Sequence, residues 1–253
     1  MEKGNWFPAC IGQEGKGMLT GSRLKLIAIV CMLIDHIAWG FVPTASVPGA
    51  LMHTVGRITA PVMCFMLTEG YRHTHDFKRY ALRLMIFAAV SYLPFIYFQY
   101  GCWTFDNALT LNMIYTLFLC LLGLWADEHL KDADRTIALF VLGFLSLVGD
   151  WPVAALMFTL NFSRNRSDRK RLTYVFTVIS AVFTAVMVYS CWIQGLKLGR
   201  ALLCSLPEMG TLLALPLLDR YNGQKGKNVG GKWLFYWFYP VHLAILGLIR
   251  FVL

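Results

Sequence analysis

Long apolar stretches alternate with short polar ones along almost the whole chain. The apolar stretches run at 24–43, 50–69, 81–98, 108–126, 173–193, 200–218 and 233–252. Each is close to the roughly 20 residues that an α-helix needs to cross a bilayer. Between 135 and 163 the chain is also apolar but is interrupted at Gly149-Asp150-Trp151-Pro152. Turn-forming residues there predict two shorter spans, 135–148 and 151–163, joined tightly. Spans of that length fit by tilting, by thinning the bilayer or by sitting between neighbours; a single re-entrant hairpin is the other reading. The pattern therefore predicts an all-α, polytopic membrane bundle of about nine transmembrane helices, within a range of roughly 8–10.

The polar segments test that count. Lys3, Lys16, Arg23 and Lys25 precede or open the first span, and Arg72, Lys78, Arg79 and Arg83 follow the second. Lys131 and Arg135, then Arg164, Arg166, Arg169, Lys170 and Arg171, then Arg220, Lys225, Lys227 and Lys232 fill the next alternate loops. Nineteen of the 23 basic residues thus fall on one side, with Lys197 and Arg200 in an opposite loop. Basic loops favour the cytoplasm, so the N-terminus is expected inside and the C-terminus outside. Residues 1–22 read as a cytoplasmic N-terminal tail, not a cleavable signal, and 23–253 as a single transmembrane domain.

Composition agrees with that picture. Apolar residues are 57% and charged residues 15% of the 253, against about 45–50% and 25% in soluble domains. Too little charge remains to cover a water-facing surface, which excludes a soluble enzyme, a disordered chain and a nucleic-acid binder. The net charge of +9 is a one-sided rim, and the first partner implied is the lipid bilayer. A multi-pass bacterial-type plasma (inner) membrane protein is expected. The seven cysteines show no Cys-x-x-Cys spacing, so no metal site is expected.

A few ionisable residues lie at membrane depth: Asp35 and His36, Arg57 and Glu69, Glu208, and His242. Each costs roughly 2.5–3.5 kcal/mol at a helix centre and needs a partner or a watery cavity. Asp35, His36, Arg57, Glu208 and His242 fall in one central slab, whereas Glu69 lies near the inner surface, where Arg72 or Arg83 is its expected partner. Lys25 and His36 are eleven residues apart, or about 1100° at about 100° per residue, which puts both on one stripe of the first span. Asp35 points about 100° away from His36, so Arg57 is its better partner. The plain alternatives are a structural Asp35–Arg57 pair, a hydrogen-bonding Glu208 beside Pro207, and a packed His242. His53, His73, His75 and His129 lie at span ends or in loops and draw no assignment.

Several segments resemble the TraX family of pilin acetylases. They are Leu24-Lys25-Leu26-Ile27-Ala28 with Ile34-Asp35-His36-Ile37, Gly56-Arg57-Ile58 through Thr68-Glu69-Gly70-Tyr71-Arg72, Arg79-Tyr80 through Ser91-Tyr92-Leu93-Pro94, Leu111-Asn112-Met113-Ile114, Tyr221-Asn222-Gly223, and Phe238-Tyr239-Pro240-Val241-His242. More distantly the chain is similar to type-3 transmembrane acyltransferases, which carry Arg, ten residues, then a catalytic His. Here the pattern reads Lys25-x10-His36, and Lys cannot make the two-pronged phosphate contact of Arg. The resemblance implies acyl transfer from cytoplasmic acetyl-CoA, or another acyl-CoA, to an envelope acceptor: a pilin-like protein amine, or a glycan or lipid hydroxyl. His36 would then be the base or nucleophile with Asp35 beside it. Arg57 or His242 would stabilise an oxyanion, and Asp35 or Glu208 would hold a ring in its tautomer. Lys25, Glu69, Arg72, Arg79 and Arg83 would line the acyl-CoA site, unless the basic ones are ordinary positive-inside charges. A proton-coupled small-molecule transporter relaying through Asp35, His36, Glu208 and His242 is the alternative function, and a structural membrane scaffold a third.

Overall fold

The structure is a computed structural model that describes residues 18–227 and 233–252. Most of the expected N-terminal tail, with Lys3, Cys10 and Lys16, and also Lys232, lies outside the described residues.

The described residues form α-helices, short 3-10 turns and two isolated β-bridges. The helices are α1 (Gly21–Phe41), α2 (Val47–Gly56), α3 (Thr59–Arg72), α4 (Phe77–Tyr100), α5 (Met113–His129), α6 (Asp132–Leu145), α7 (Ala154–Arg164), α8 (Arg169–Ile193), α9 (Leu198–Ser205), α10 (Ala214–Asp219) and α11 (Leu234–Val252). Polar side chains set several starts. Thr20, Asp76 and Asp168 each accept the backbone N–H three residues on, and Asn112 caps α5 through the N–H groups of Ile114 and Tyr115. α4 ends at Gly101, whose φ of 75° suits glycine.

Among the described residues six segments are long and apolar enough to cross a membrane: Gly21–Phe41, Val47–Arg72, Phe77–Tyr100, Arg169–Ile193, Leu198–Asp219 and Leu234–Val252. Two of these are broken. α2 and α3 meet at Arg57, and α9 and α10 are joined by a 3-10 stretch at Leu206–Leu213 that opens with Pro207 near its start. The expected spans at 108–126, 135–148 and 151–163 correspond to α5, α6 and α7, which have 17, 14 and 11 residues.

Their shortness has a structural cause. The Asn112 amide donates to the Ala88 carbonyl at 2.8 Å, halfway along α4, so α5 starts at mid-depth. At that level the segment before α5 pairs with the turn before α7. Leu111 N–H donates to Val148 at 2.7 Å and Asp150 N–H to Leu111 at 3.0 Å. Non-helical backbone inside a membrane bundle needs such internal partners. The turn itself is strained, with φ of 59° at both Trp151 and the β-branched Val153.

α3, α5 and α7 form the centre, where Phe65, Leu121, Leu124, Phe158 and Phe162 are fully buried, with Phe176 of α8 packed on them. α11 packs along α4 and α1. Close helix approach depends on small residues. A Cβ on Gly56 would stand 2.3 Å from Asp35 Cβ, and one on Gly210 would stand 2.2 Å from the Thr54 carbonyl oxygen. Gly56→Ala therefore has to push α2 off α1. We expect it to lower stability by about 1–3 kcal/mol, read as an earlier thermal transition in detergent micelles.

Candidate active site

The central charges separate into two groups because Asp35 and His36 leave α1 in different directions. On the α2 side, Asp35 Oδ1 lies 2.8 Å from His53 Nδ1 and Asp35 Oδ2 accepts from Arg57 at 3.1 Å. Arg57 Nε lies 2.9 Å from Glu208 Oε2, an ion pair rather than an aligned hydrogen bond. The guanidinium also sits 5.5 Å from the Trp151 ring. Arg57 reaches both carboxylates because it stands at the α2–α3 break, and Glu208 because the 3-10 stretch turns it inward.

On the α11 side lie the two histidines. His36 Nδ1 is 3.0 Å from His242 Nε2, and His242 Nδ1 is 2.7 Å from the Phe238 carbonyl. The His36 ring meets the edge of Phe98 at 5.5 Å, and Phe238 stacks on His242 at 4.5 Å. His242 is buried and His36 half-buried.

A third group surrounds a cavity of about 420 Å³ at the basic end. Its wall includes Lys25, Glu69, Arg83, Lys225, Tyr221 and Trp233. The first turn of α1 shapes this mouth, since Gly21 and Ser22 N–H donate to the Gln224 and Lys225 carbonyls at 2.8 and 3.0 Å. Burial raises the Tyr221 phenol above its ordinary value, so it stays a hydroxyl donor. A smaller apolar pocket of about 100 Å³ shares Lys25, Met66, Tyr80, Phe235 and Tyr236 with it and runs on to Leu84 and Leu117. His36 lies about 16 Å farther along α1 than Lys25.

The structure thus joins His36 with His242, Asp35 with Arg57 and Glu208, and Lys25 with Glu69 and Arg83. Arg72 and Arg79 are exposed and outside the cavity wall, Arg79 pairing with Asp76 at 2.9 Å. Glu69 pairs with Arg166, not with Arg72 or Arg83 as sequence proximity suggested. Neither Asp35 nor Glu208 bonds a ring of the histidine pair among the described contacts; a backbone carbonyl holds His242 instead. His53, given no role from its position near a span end, is 2% exposed and bonded to Asp35. Its signal was available: it precedes Arg57 by one helical turn and so shares that face. Among the described residues no group of metal-binding side chains occurs.

The model of the TraX family, described as TraX protein, matches residues 20–250. A probable fimbrial assembly protein FimC of serogroup H1 from Dichelobacter nodosus is 32% identical over 231 residues, covering 88% of this chain and 93% of its own. No solved structure matches significantly.

Proposed function

This chain belongs to the TraX family, and from that premise we propose that it is an integral-membrane acyltransferase, in the first instance an acetyltransferase, drawing on cytoplasmic acyl-CoA. The observation that carries the reading is the His36–His242 pair at mid-depth, on the same stripe of α1 as Lys25 in the wall of the basic cavity. In this reading the chain from 23 onward is one nine-span domain with its N-terminus inside, so the basic cavity opens to the cytoplasm.

The cavity suits the polyanionic head of acyl-CoA. Lys25, Arg83 and Lys225 supply positive charge, Tyr221 a hydroxyl, and Trp233 a surface on which an adenine can stack. The arm then follows α1 towards His36. There the acceptor's oxygen or nitrogen attacks the thioester carbon as His36 takes its proton, the carbon–sulfur bond breaks, and His36 returns the proton to the departing thiolate. Asp35, Arg57 and Glu208 support this centre by fixing α1 against α2 and the 3-10 stretch. The name of the Dichelobacter nodosus relative concerns fimbrial assembly, which favours a pilin-like protein over glycan or lipid as acceptor.

The test is transfer of label from acyl-labelled CoA in proteoliposomes to added envelope fractions. Transfer that needs this protein supports the reading. Uptake of a solute without acyl-CoA, and no transfer, sinks it in favour of the transporter. Replacing Lys25, Arg83 or Lys225 singly by Gln is expected to raise KM for acyl-CoA about 5- to 20-fold with kcat little changed, as the loss of one charge-assisted contact requires. The same change at Arg79 is expected to leave KM alone.

A further inference from the structure

The hydrogen bonds of the histidine pair have a forced direction. His242 Nδ1 faces the Phe238 carbonyl at 2.7 Å, and a carbonyl oxygen only accepts, so this nitrogen carries the hydrogen. In a neutral ring His242 Nε2 is then an acceptor. The hydrogen in its 3.0 Å contact with His36 Nδ1 must belong to His36. His36 is thereby held as its Nδ1–H tautomer, with the lone pair on Nε2. An imidazole free in water prefers the opposite tautomer, so the arrangement selects against the ring's own preference.

Resting on the acyltransferase reading, we propose that His242 is a positioning residue that fixes the tautomer of His36 and so presents Nε2 as the base for the acceptor's proton. The sequence builds this device locally. Phe238 and His242 are four residues apart on α11, so the Phe238 carbonyl and ring both lie one turn from the imidazole. The ring stacks at 4.5 Å with planes 14° apart, and His242 is 5% exposed. Phe98 and Tyr239, at 5.5 and 6.3 Å, meet His36 near edge-on and close off other orientations. A neutral His242 engaged in this way has no N–H left for an oxyanion, which separates positioning from the oxyanion role the sequence suggested.

The proton balance is closed. As the new bond to the acyl carbon forms, the acceptor's proton moves to His36 Nε2. The Nδ1–H bond to His242 persists, and the proton leaves Nε2 for the CoA thiolate when the carbon–sulfur bond breaks.

The experiment joins nitrogen-15 NMR of histidine-labelled protein in micelles with the transfer assay. In the unmodified protein both His36 and His242 are expected as Nδ1–H tautomers, assigned by loss of signals in single variants. His242→Gln places an amide oxygen where Nε2 was, which still accepts from His36. It is expected to keep the His36 tautomer and transfer within about tenfold of the unmodified protein. His242→Leu removes this acceptor and leaves only the Met32 carbonyl, one turn back on α1, within reach of the His36 ring; the expected result is an Nε2–H population at His36 and a fall in transfer of about 10²- to 10⁴-fold. An Nε2–H signal for His36 in the unmodified protein overturns the proposal, as do equal losses in the Gln and Leu variants. Should the Leu variant fail to assemble, the unmodified protein and His242→Gln decide the matter. If the unmodified protein transfers no acyl group, the functional reading fails while the NMR signals still judge the positioning.

Discussion

His36→Ala is expected to reduce acyl transfer by at least about 10²- to 10⁴-fold, the contribution of a positioned general acid–base group, with the protein still inserted. The expectation rests on where the ring stands. It is half-buried at mid-depth, tied to His242 at 3.0 Å and flanked by Phe98. Among the described residues no other imidazole contacts this pair. Alanine removes the base and leaves a small gap among aromatic rings, so the thermal transition should move much less than the rate. His129→Ala is the matched control. That histidine is exposed, stacks on Trp125 at 5.0 Å, and its loss should leave transfer unchanged. The measurement is label transferred from acyl-CoA per mole of reconstituted protein, with mass spectrometry of pilin-like proteins, glycans and lipids to name the acceptor. Transfer retained by His36→Ala at near the original rate would remove His36 from the mechanism.

Much of the framework is legible in the sequence. The Asp35–Arg57 contact followed from the cost of lone charges in lipid and from the direction of Asp35 on α1. The separation of His36 from the carboxylates was contained in the same 100° step. What sequence could not supply was contact between distant segments. Glu69 is bonded to Arg166, 97 positions away, although Arg72 and Arg83 are nearer along the chain. His53 looked like a span-end residue because a hydropathy window does not register that α2 stops at Arg57 and turns its last residues inward. The windows for 108–126, 135–148 and 151–163 likewise measured apolar content, while the mid-depth pairing of Leu111 with Val148 and Asp150 decided where α5 and α7 begin. The cavity wall departs from sequence expectation in the same way. It recruits Lys225 by a backbone bond to Ser22 in the first turn of α1, and leaves out Arg72 and Arg79.

The other large effect is expected at Arg57, and it decides what the carboxylate group does. Arg57 is the positive member between Asp35 at 3.1 Å and Glu208 at 2.9 Å, with all three side chains at most 13% exposed. Arg57→Met deletes that charge and keeps most of the volume, leaving two buried carboxylates without their counter-ion. Breaking one side of a buried pair costs about 3–5 kcal/mol, whereas neutralising every member together is often close to neutral. Arg57→Met should therefore unfold well below the unmodified protein, and adding Asp35→Asn with Glu208→Gln should recover most of the loss, since contacting residues do not act additively. Transfer activity in the triple variant then separates scaffold from chemistry. If the group only holds α1 against α2 and the 3-10 stretch, activity returns together with stability, and this is the expected result because Arg57 is engaged by its carboxylates and the histidine pair faces α11. Recovered stability with transfer still lost would instead put the Arg57 charge in the reaction itself, as a stabiliser of the tetrahedral oxyanion.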